Sequence, residues 1–243
     1  MNYSFLQCGE GALTVHLGDG IDPAINRRVT ALQGAIGSAG LRGITDLIPA
    51  YADLTVCYDC TVISAKALQR QLRRLLDSLS VAGQDRRRVF RLPVCYGGDY
   101  GPDLDFVCHH SGLSAQEVIA LHSAPDYLIY MLGFLPGFAY LGGLYPRLHT
   151  PRLDSPRTCI PAGSVGIGGA QTGVYPLASP GGWQLLGRTP VPVFDRQRQE
   201  PILYRAGDLV HFVPISPAEY EEIARAVAAG TYTVQVEEVP VCD

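Results

Sequence analysis

"TPRLDSPRTCIPAGSVGIGGAQTGVYPLASPGGWQLLGRTP", residues 150–190, carries eight glycines and six prolines. Its apolar runs, SVGIGG, GVYPLA and WQLLGRTP, are each only a few residues long. Turn signals at Pro151, Pro156, Pro161, Gly163, Gly168-Gly169 and Pro180-Gly181-Gly182 separate them. A chain that turns this often cannot sustain helices, and short β-prone runs at regular spacing belong to a barrel or sandwich. The pattern extends outward to YLIYMLGF (127–134) and DLVHFVPI (208–215). It ends where Ser216, Pro217 and Glu219 supply an N-cap, a first-turn proline and a capping glutamate for the helix PAEYEEIARAVAAG. The tail TYTVQVEEVPVCD reads as one last strand.

Upstream, the periodicity changes. ALTVHLG (12–18) reads as a strand, and the next helix is signalled at both ends, by Asp22 and Pro23 at its start and Gly40 at its close. GITDLIPAY and DLTVCYD are β-rich. Ser64 caps AKALQRQLRRLLDSLS, which lays Leu68, Leu72, Leu75, Leu76 and Leu79 on one face, and RVFRLPVCY (88–96) returns as a strand. The order β-α-β-β-α-β, with an extra N-terminal strand, predicts an α+β sandwich with both helices on one face. Two domains are expected, an N-terminal α/β domain over 1–90 and a β-barrel domain over 91–243.

Between them, a helix from near Pro102 to Gly112 meets a second one opened by a Ser114–Glu117 capping box. The pair resembles a helix-turn-helix, but AQEVIALHS has no Arg or Lys to meet phosphates or guanine edges. A net charge of −4 without a basic run also excludes nucleic acid, and Arg86, Arg87 and Arg88 read as a solvated turn before a strand. With 47% hydrophobic and 17% charged residues, the chain of 243 can bury a sizeable core. No apolar stretch reaches the roughly 18 to 20 residues of a membrane-spanning helix. Seven cysteines without a signal peptide predict a reducing, cytoplasmic setting. Cys57 and Cys60 form a C-x-x-C with no helix N-terminus behind it and no second pair, so they read as packing and no metal is expected.

Two segments can carry chemistry. GFLPGFAYLGG, residues 133–143, sets four glycines and a proline among five aromatic or leucine side chains. It reads either as a tight loop whose Phe134, Phe138, Tyr140 and Leu141 plug the barrel, or as a nest of amides for an anion or carbonyl with the aromatics as a dry wall. Residues 150–190 match no phosphate loop, no dinucleotide fingerprint and no G-x-S-x-G elbow, which leaves Ser164 without a nucleophile's setting. There Gln171 and Tyr175 can bind an amide or carboxylate, and Arg157 and Arg188 can fork onto an anion. His109, His110 and His122 lack the i, i+4 spacing of a helical metal site, and Asp99, Asp103 and Asp105 sit where carboxylates offset a helix dipole.

LPVCYGGDYGPDL (92–104), GLSAQEVIALH (112–122), YLIYMLGFLPGFAYLGGL (127–144) and IPAGSVGIGGAQTGVYPLASPGGWQLLGRTP (160–190) resemble the KipI family, that of the 5-oxoprolinase B subunit, also described as allophanate hydrolase subunit 1. The resemblance implies a small N-terminal α/β sandwich and a C-terminal cyclophilin-like β-barrel. It implies two partners, the KipA-like 5-oxoprolinase C subunit, itself cyclophilin-like, and the LamB/YcsF-type A subunit, which completes the enzyme. It also implies similarity to one half of the carboxyltransferase part of urea amidolyase. The implied reaction is ATP-dependent opening of 5-oxo-L-proline to L-glutamate, with ATP shared with a partner chain and no activity expected of this chain alone. Phosphorylating a lactam oxygen makes it a good leaving group. On the family's motif positions, Phe134, Gly137, Tyr140, Gly163, Ser164, Gln171, Tyr175 and Trp183 are the substrate-binding candidates, with no catalytic residue assigned. The family also implies alternatives: an inhibitor of a sensor histidine kinase, a component that works on a urea-type amide, or, from the barrel, a prolyl isomerase.

Overall fold

The computed structural model describes residues 3–79 and 86–240, and the chain divides into two compact units, Met1–Gln84 and Asp85–Asp243. In the first, strands β1 (Ser4–Cys8) and β2 (Ala12–His16) precede helix α1 (Pro23–Ala39), and β3 (Ile44–Pro49) and β4 (Asp53–Tyr58) precede α2 (Ala65–Asp77). The sheet is antiparallel throughout, in the order β1-β2-β4-β3. Burial alternates along β2 and β4, so Leu13, Val15, Leu54 and Val56 face the helices. They pack with Val29, Leu32 and Ile36 of α1 and Leu68, Leu72 and Leu76 of α2. Each fully buried leucine contributes about 1.5–3 kcal/mol relative to leaving it exposed.

The helix ends obey their signals. The Asp22 carboxylate accepts from the Ala24 N–H, Gly40 closes α1 at φ 55°, and the Ser64 hydroxyl accepts from the Ala67 N–H. The last expected residue of α2's leucine face before the boundary, Leu79, packs on this core, whereas Ser80 lies outside the described residues.

The second unit opens with β5 (Arg86–Tyr96), then α3 (Leu104–Ser111) and α4 (Ala115–Ser123). Strands β6 (Asp126–Leu132), β7 (Ala139–Gly142), β8 (Arg157–Ile160), β9 (Ser164–Gly168), β10 (Gln171–Val174), β11 (Ser179–Gly181), β12 (Gln184–Arg188) and β13 (Leu209–Ile215) follow. Helix α5 (Pro217–Ala228) and β14 (Gln235–Pro240) complete it. Seven strands run β12-β9-β10-β7-β6-β13-β5, and β5 pairs back onto β12 through Gly187↔Tyr96 and Arg188↔Cys95, closing a barrel. Strand β14 pairs with the first half of β5, and β8 with β11 form a separate ribbon. Leu92, Val94, Ile129, Leu141, Val165, Ile167, Val174, Leu186, Val210 and Phe212 fill the interior.

The expected last strand of the N-terminal domain therefore belongs to the barrel. β5 is buried almost continuously from Val89 to Cys95, and a strand covered on both faces needs partners that the half-covered first sheet does not offer. It pairs with β13 in parallel and with β14 and β12 antiparallel. Arg86–Arg88 are strand residues rather than a turn. Arg88 forks onto the buried Asp208 carboxylate at 2.6 and 3.0 Å, and Arg91 onto Glu237 at 2.8 Å.

Six cysteines of the described residues, Cys57 and Cys60 among them, carry free thiols, and Cys242 lies outside those residues. No helix of the described residues is long and apolar enough to cross a membrane.

Candidate functional site: an aromatic cleft on the barrel

The loop from β6 to β7 turns on two left-handed residues, Phe134 at φ 66° and Gly137 at φ 81°. A β carbon on Gly137 would stand 2.9 Å from Phe194 Cβ and 3.3 Å from the Val193 carbonyl, so glycine here serves close backbone packing. Phe134 has no such excuse: a bulky side chain in this region is strained, and Phe134 is the only non-glycine residue at positive φ among the described residues. The residue is 63% exposed, and its ring meets Phe138 edge to face at 5.5 Å. The amides of Gly133, Leu135 and Phe138 are taken up by carbonyls of the loop itself. Those three amides are not available to a ligand, and the loop presents its rings to the surroundings.

Phe138 is the hub. Tyr140, Tyr175 and Trp183 lie edge-on around it at 5.2, 5.5 and 5.5 Å between ring centres, geometry that the ring quadrupoles favour. Trp183 rests on the β9–β10 hairpin, where β carbons on Gly168 and Gly173 would run into the indole. These glycines make room for the aromatic wall rather than for a ligand. Gly181 does the same for Tyr175, whose hydroxyl stands 2.6 Å from the position of its missing β carbon.

The rings enclose a cleft of about 320 Å³, whose remaining lining is Arg152, Pro156, Pro180, Gly181 and Gly182. Of the candidates read from sequence, the cleft brings together Phe134, Tyr140, Tyr175 and Trp183. Gly137, Gly163, Ser164 and Gln171 do not line it. The Gly137 carbonyl accepts from the Tyr204 hydroxyl, and the Gly163 N–H and the Ser164 carbonyl bracket the backbone of Tyr175 at 2.7 and 2.8 Å. Gln171 pairs with Gly168 at the head of the hairpin. They hold the wall in place from behind. Phe138, Arg152, Pro156 and the Pro180–Gly182 segment around the end of β11 were absent from the substrate-binding set; Arg152 had no signal beyond its place in the turn-rich segment 150–190.

Two groups fix the cleft electrostatically. The Asp103 carboxylate does not cap α3 as its position suggests. It accepts from Arg157 at 2.6 Å and from the Leu185 N–H at 2.7 Å, and the Arg157 guanidinium reaches the Trp183 carbonyl at 3.5 Å. This pair ties the start of α3 to both strands beside the cleft. Arg157 is thus committed to Asp103, while Arg188 donates through its Nε to the Ala162 carbonyl and does not line the cleft. Within the cleft, burial pushes the Tyr175 phenol above its ordinary pKa, partly offset because the Trp183 backbone N–H donates to its oxygen.

The clustered histidines separate. His109 and His110 are exposed at the end of α3, while His122 is wholly buried and stacks on Phe212 at 4.8 Å. Its Nδ1 lies 2.8 Å from the Tyr96 hydroxyl and its Nε2 2.8 Å from the Thr172 hydroxyl, which donates to the Gly166 carbonyl. Since Thr172 has one proton to give, Nε2 is the protonated nitrogen and Nδ1 accepts from Tyr96. Burial lowers the His122 pKa to about 3, so the ring is a neutral structural link between α4, β5 and β10. Among the described residues, no group of three His, Cys, Asp or Glu side chains is placed to hold a metal ion.

Residues 3–204 match the family described as carboxyltransferase domain, subdomain C and D. The chain belongs to that family. Within this carboxyltransferase C and D family, it is 42% identical over 230 residues to the Bacillus subtilis protein named as the B subunit of 5-oxoprolinase, covering 90% of this chain and 96% of that one. It is 45% identical over 207 residues to the protein of the same name from Escherichia coli O157:H7, covering 85% and 93%. Among solved structures, TTHA0988 superposes with a TM-score of 0.74 at 41% identity, over 84% of this chain and 40% of its own. The Kluyveromyces lactis urea carboxylase shares the fold over 98% of this chain and 24% of its own, with a TM-score of 0.82 at 23% identity. This chain therefore spans well under half the length of those two solved proteins.

Proposed function

We propose that the chain is the B subunit of a cytoplasmic, ATP-dependent 5-oxoprolinase. On this reading it works with the KipA-like C subunit, together with the LamB/YcsF-type A subunit, to open 5-oxo-L-proline to L-glutamate. The observation that carries this reading is the 42–46% identity to proteins named as the B subunit of 5-oxoprolinase, across 70–90% of the chain. The cleft is consistent with it in size and chemistry. A five-membered lactam is small and flat, and about 320 Å³ walled by aromatic rings admits such a ring while excluding water from its faces. The Tyr175 hydroxyl, whose oxygen already accepts from the Trp183 N–H, keeps a proton to donate to a lactam carbonyl.

The lining does not fit ATP. One guanidinium would face a whole triphosphate, and no helix N-terminus with its free amides opens onto the cleft. On this reading the nucleotide is held by a companion chain, and this chain's share is to bind and orient the lactam.

Mixing the purified chain with its two companion subunits, ATP and 5-oxo-L-proline tests the reading. Glutamate formed only when all are present supports it; no glutamate from the complete mixture refutes it. Similarity at 25–26% identity to proteins named urea carboxylase and urea amidolyase makes urea the second substrate for the same assay.

A further inference from the structure

We propose that Arg152 is the specificity-determining residue of the aromatic cleft: its guanidinium takes the carboxylate of a small lactam acid and so selects such a ligand over uncharged amides. The inference deepens the 5-oxoprolinase reading and rests on it.

Arg152 is the one charged residue on a lining otherwise made of aromatic rings, prolines and glycines. The neighbouring arginines are engaged, Arg157 with Asp103 at 2.6 Å and Arg188 with the Ala162 carbonyl at 2.9 Å. Arg152 meets no carboxylate among the described residues. Its guanidinium carbon stands 5.9 Å from the centre of the Trp183 ring. At that distance the ring attracts the guanidinium as a cation, and the planar donor fork of an arginine suits a carboxylate. The aromatic wall also lowers the local dielectric and strengthens the pairing of opposite charges at its margin.

A second donor stands in the same cleft. Arg152 is near enough to Tyr175 to act on its phenol electrostatically, and that phenol stays protonated because burial raises its pKa. One cation and one neutral donor beside an apolar wall match a ligand with an anion, a carbonyl and a flat ring between them. 5-Oxo-L-proline has all three, whereas 2-pyrrolidinone and urea offer the carbonyl without the anion. Arg152 is solvated when no anion is bound, so the charged hydrogen bonds it gains with a carboxylate favour the acid over its uncharged analogue by roughly tenfold.

Trp183 is the chain's single tryptophan, so its fluorescence reports the cleft directly. Full-length protein is titrated separately with 5-oxo-L-proline, 2-pyrrolidinone, urea and ATP. The expected result is saturable binding of 5-oxo-L-proline, at least tenfold tighter than that of 2-pyrrolidinone. Arg152→Gln raises the Kd for 5-oxo-L-proline tenfold or more and leaves that for 2-pyrrolidinone unchanged. Arg152→Lys, which keeps the charge but not the fork, falls between them. Arg152 is exposed, so the variants are expected to keep the wild-type circular dichroism and melting temperature.

Equal affinity of wild type and Arg152→Gln for 5-oxo-L-proline overturns the inference. So does failure of the wild type to bind it at millimolar concentration, or Arg152-dependent binding of ATP in its place. The reconstituted assembly separates the two failures. Glutamate formation with an unchanged KM in Arg152→Gln overturns the role of Arg152 alone, whereas no glutamate with the wild type overturns the parent reading.

Discussion

Acidification is expected to unlock the barrel through His122. The imidazole has a pKa of about 3 in the folded chain against 6.5 unfolded, because burial disfavours its cation. Between these values the unfolded chain binds a proton that the native chain refuses, so stability is complete above pH 6.5 and falls as pH is lowered toward 3. Linkage puts the loss from this one group at about 2 kcal/mol between pH 7 and pH 5, and at about 5 kcal/mol below pH 3.

Trp183 lies in the barrel unit, so urea unfolding followed by its fluorescence reads this unit and not the N-terminal one. The assay compares wild type with His122→Gln at pH 7 and pH 5. The carboxylates titrate in both proteins, and the difference between the two pH-dependent losses isolates the histidine. The variant should lose about 2 kcal/mol less than wild type over that interval. Nitrogen-15 NMR of the wild-type imidazole gives a second readout independent of the variant's folding, with Nε2 protonated and Nδ1 bare at pH 7. A ring that titrates near pH 6.5, or equal losses in the two proteins, would refute the reasoning.

The cleft and its supports give three more expectations. Gly168→Ala drives a methyl into the Trp183 indole, with an overpacking cost of about 1–3 kcal/mol in urea unfolding and a red-shifted fluorescence maximum; an unshifted spectrum contradicts the glycine floor. Phe134→Gly relieves about 1 kcal/mol of left-handed strain but adds a similar amount of unfolded-chain freedom, so stability stays within about 0.5 kcal/mol while affinity for 5-oxo-L-proline drops. A loss of about 2 kcal/mol or more there would mean the ring is structural. Asp103→Ala strands the Leu185 N–H and Arg157 together, and a loss of about 2–3 kcal/mol by chemical denaturation is expected; a change below about 0.5 kcal/mol would show that the pair is idle.

Local chemistry was legible in the sequence wherever it decides local structure. Asp22 with Pro23, and the Ser114–Glu117 and Ser216–Glu219 boxes, cap the helices they were read to cap, because a cap is settled within four residues. Turn spacing narrowed the second unit to a barrel or a sandwich, the family resemblance implied the barrel, and the pairing of β5 with β12 closes it. What failed was pairing at long range: β5 looks like any apolar strand until its partners, which lie beyond residue 183, are known. Asp103 misled for the same reason, being near a helix start in sequence but bonded to Leu185 and Arg157 in space. Glycines were also ambiguous. Gly137 and Gly163 read as ligand contacts, yet each is small so that backbone can pass, and composition cannot tell which neighbour a missing side chain makes way for.

The eleven residues of β5 meet β12, β13 and β14, all of which emerge from the ribosome some ninety or more residues later. Until synthesis is nearly done, this long strand waits with both edges bare, while the sheet and helices of the first unit already have their own core. Biogenesis is thus split, one unit ripening early and the other closing all at once. C-terminal truncations short of β13 should consequently leave a folded first unit joined to an aggregation-prone remainder, rather than a shortened barrel.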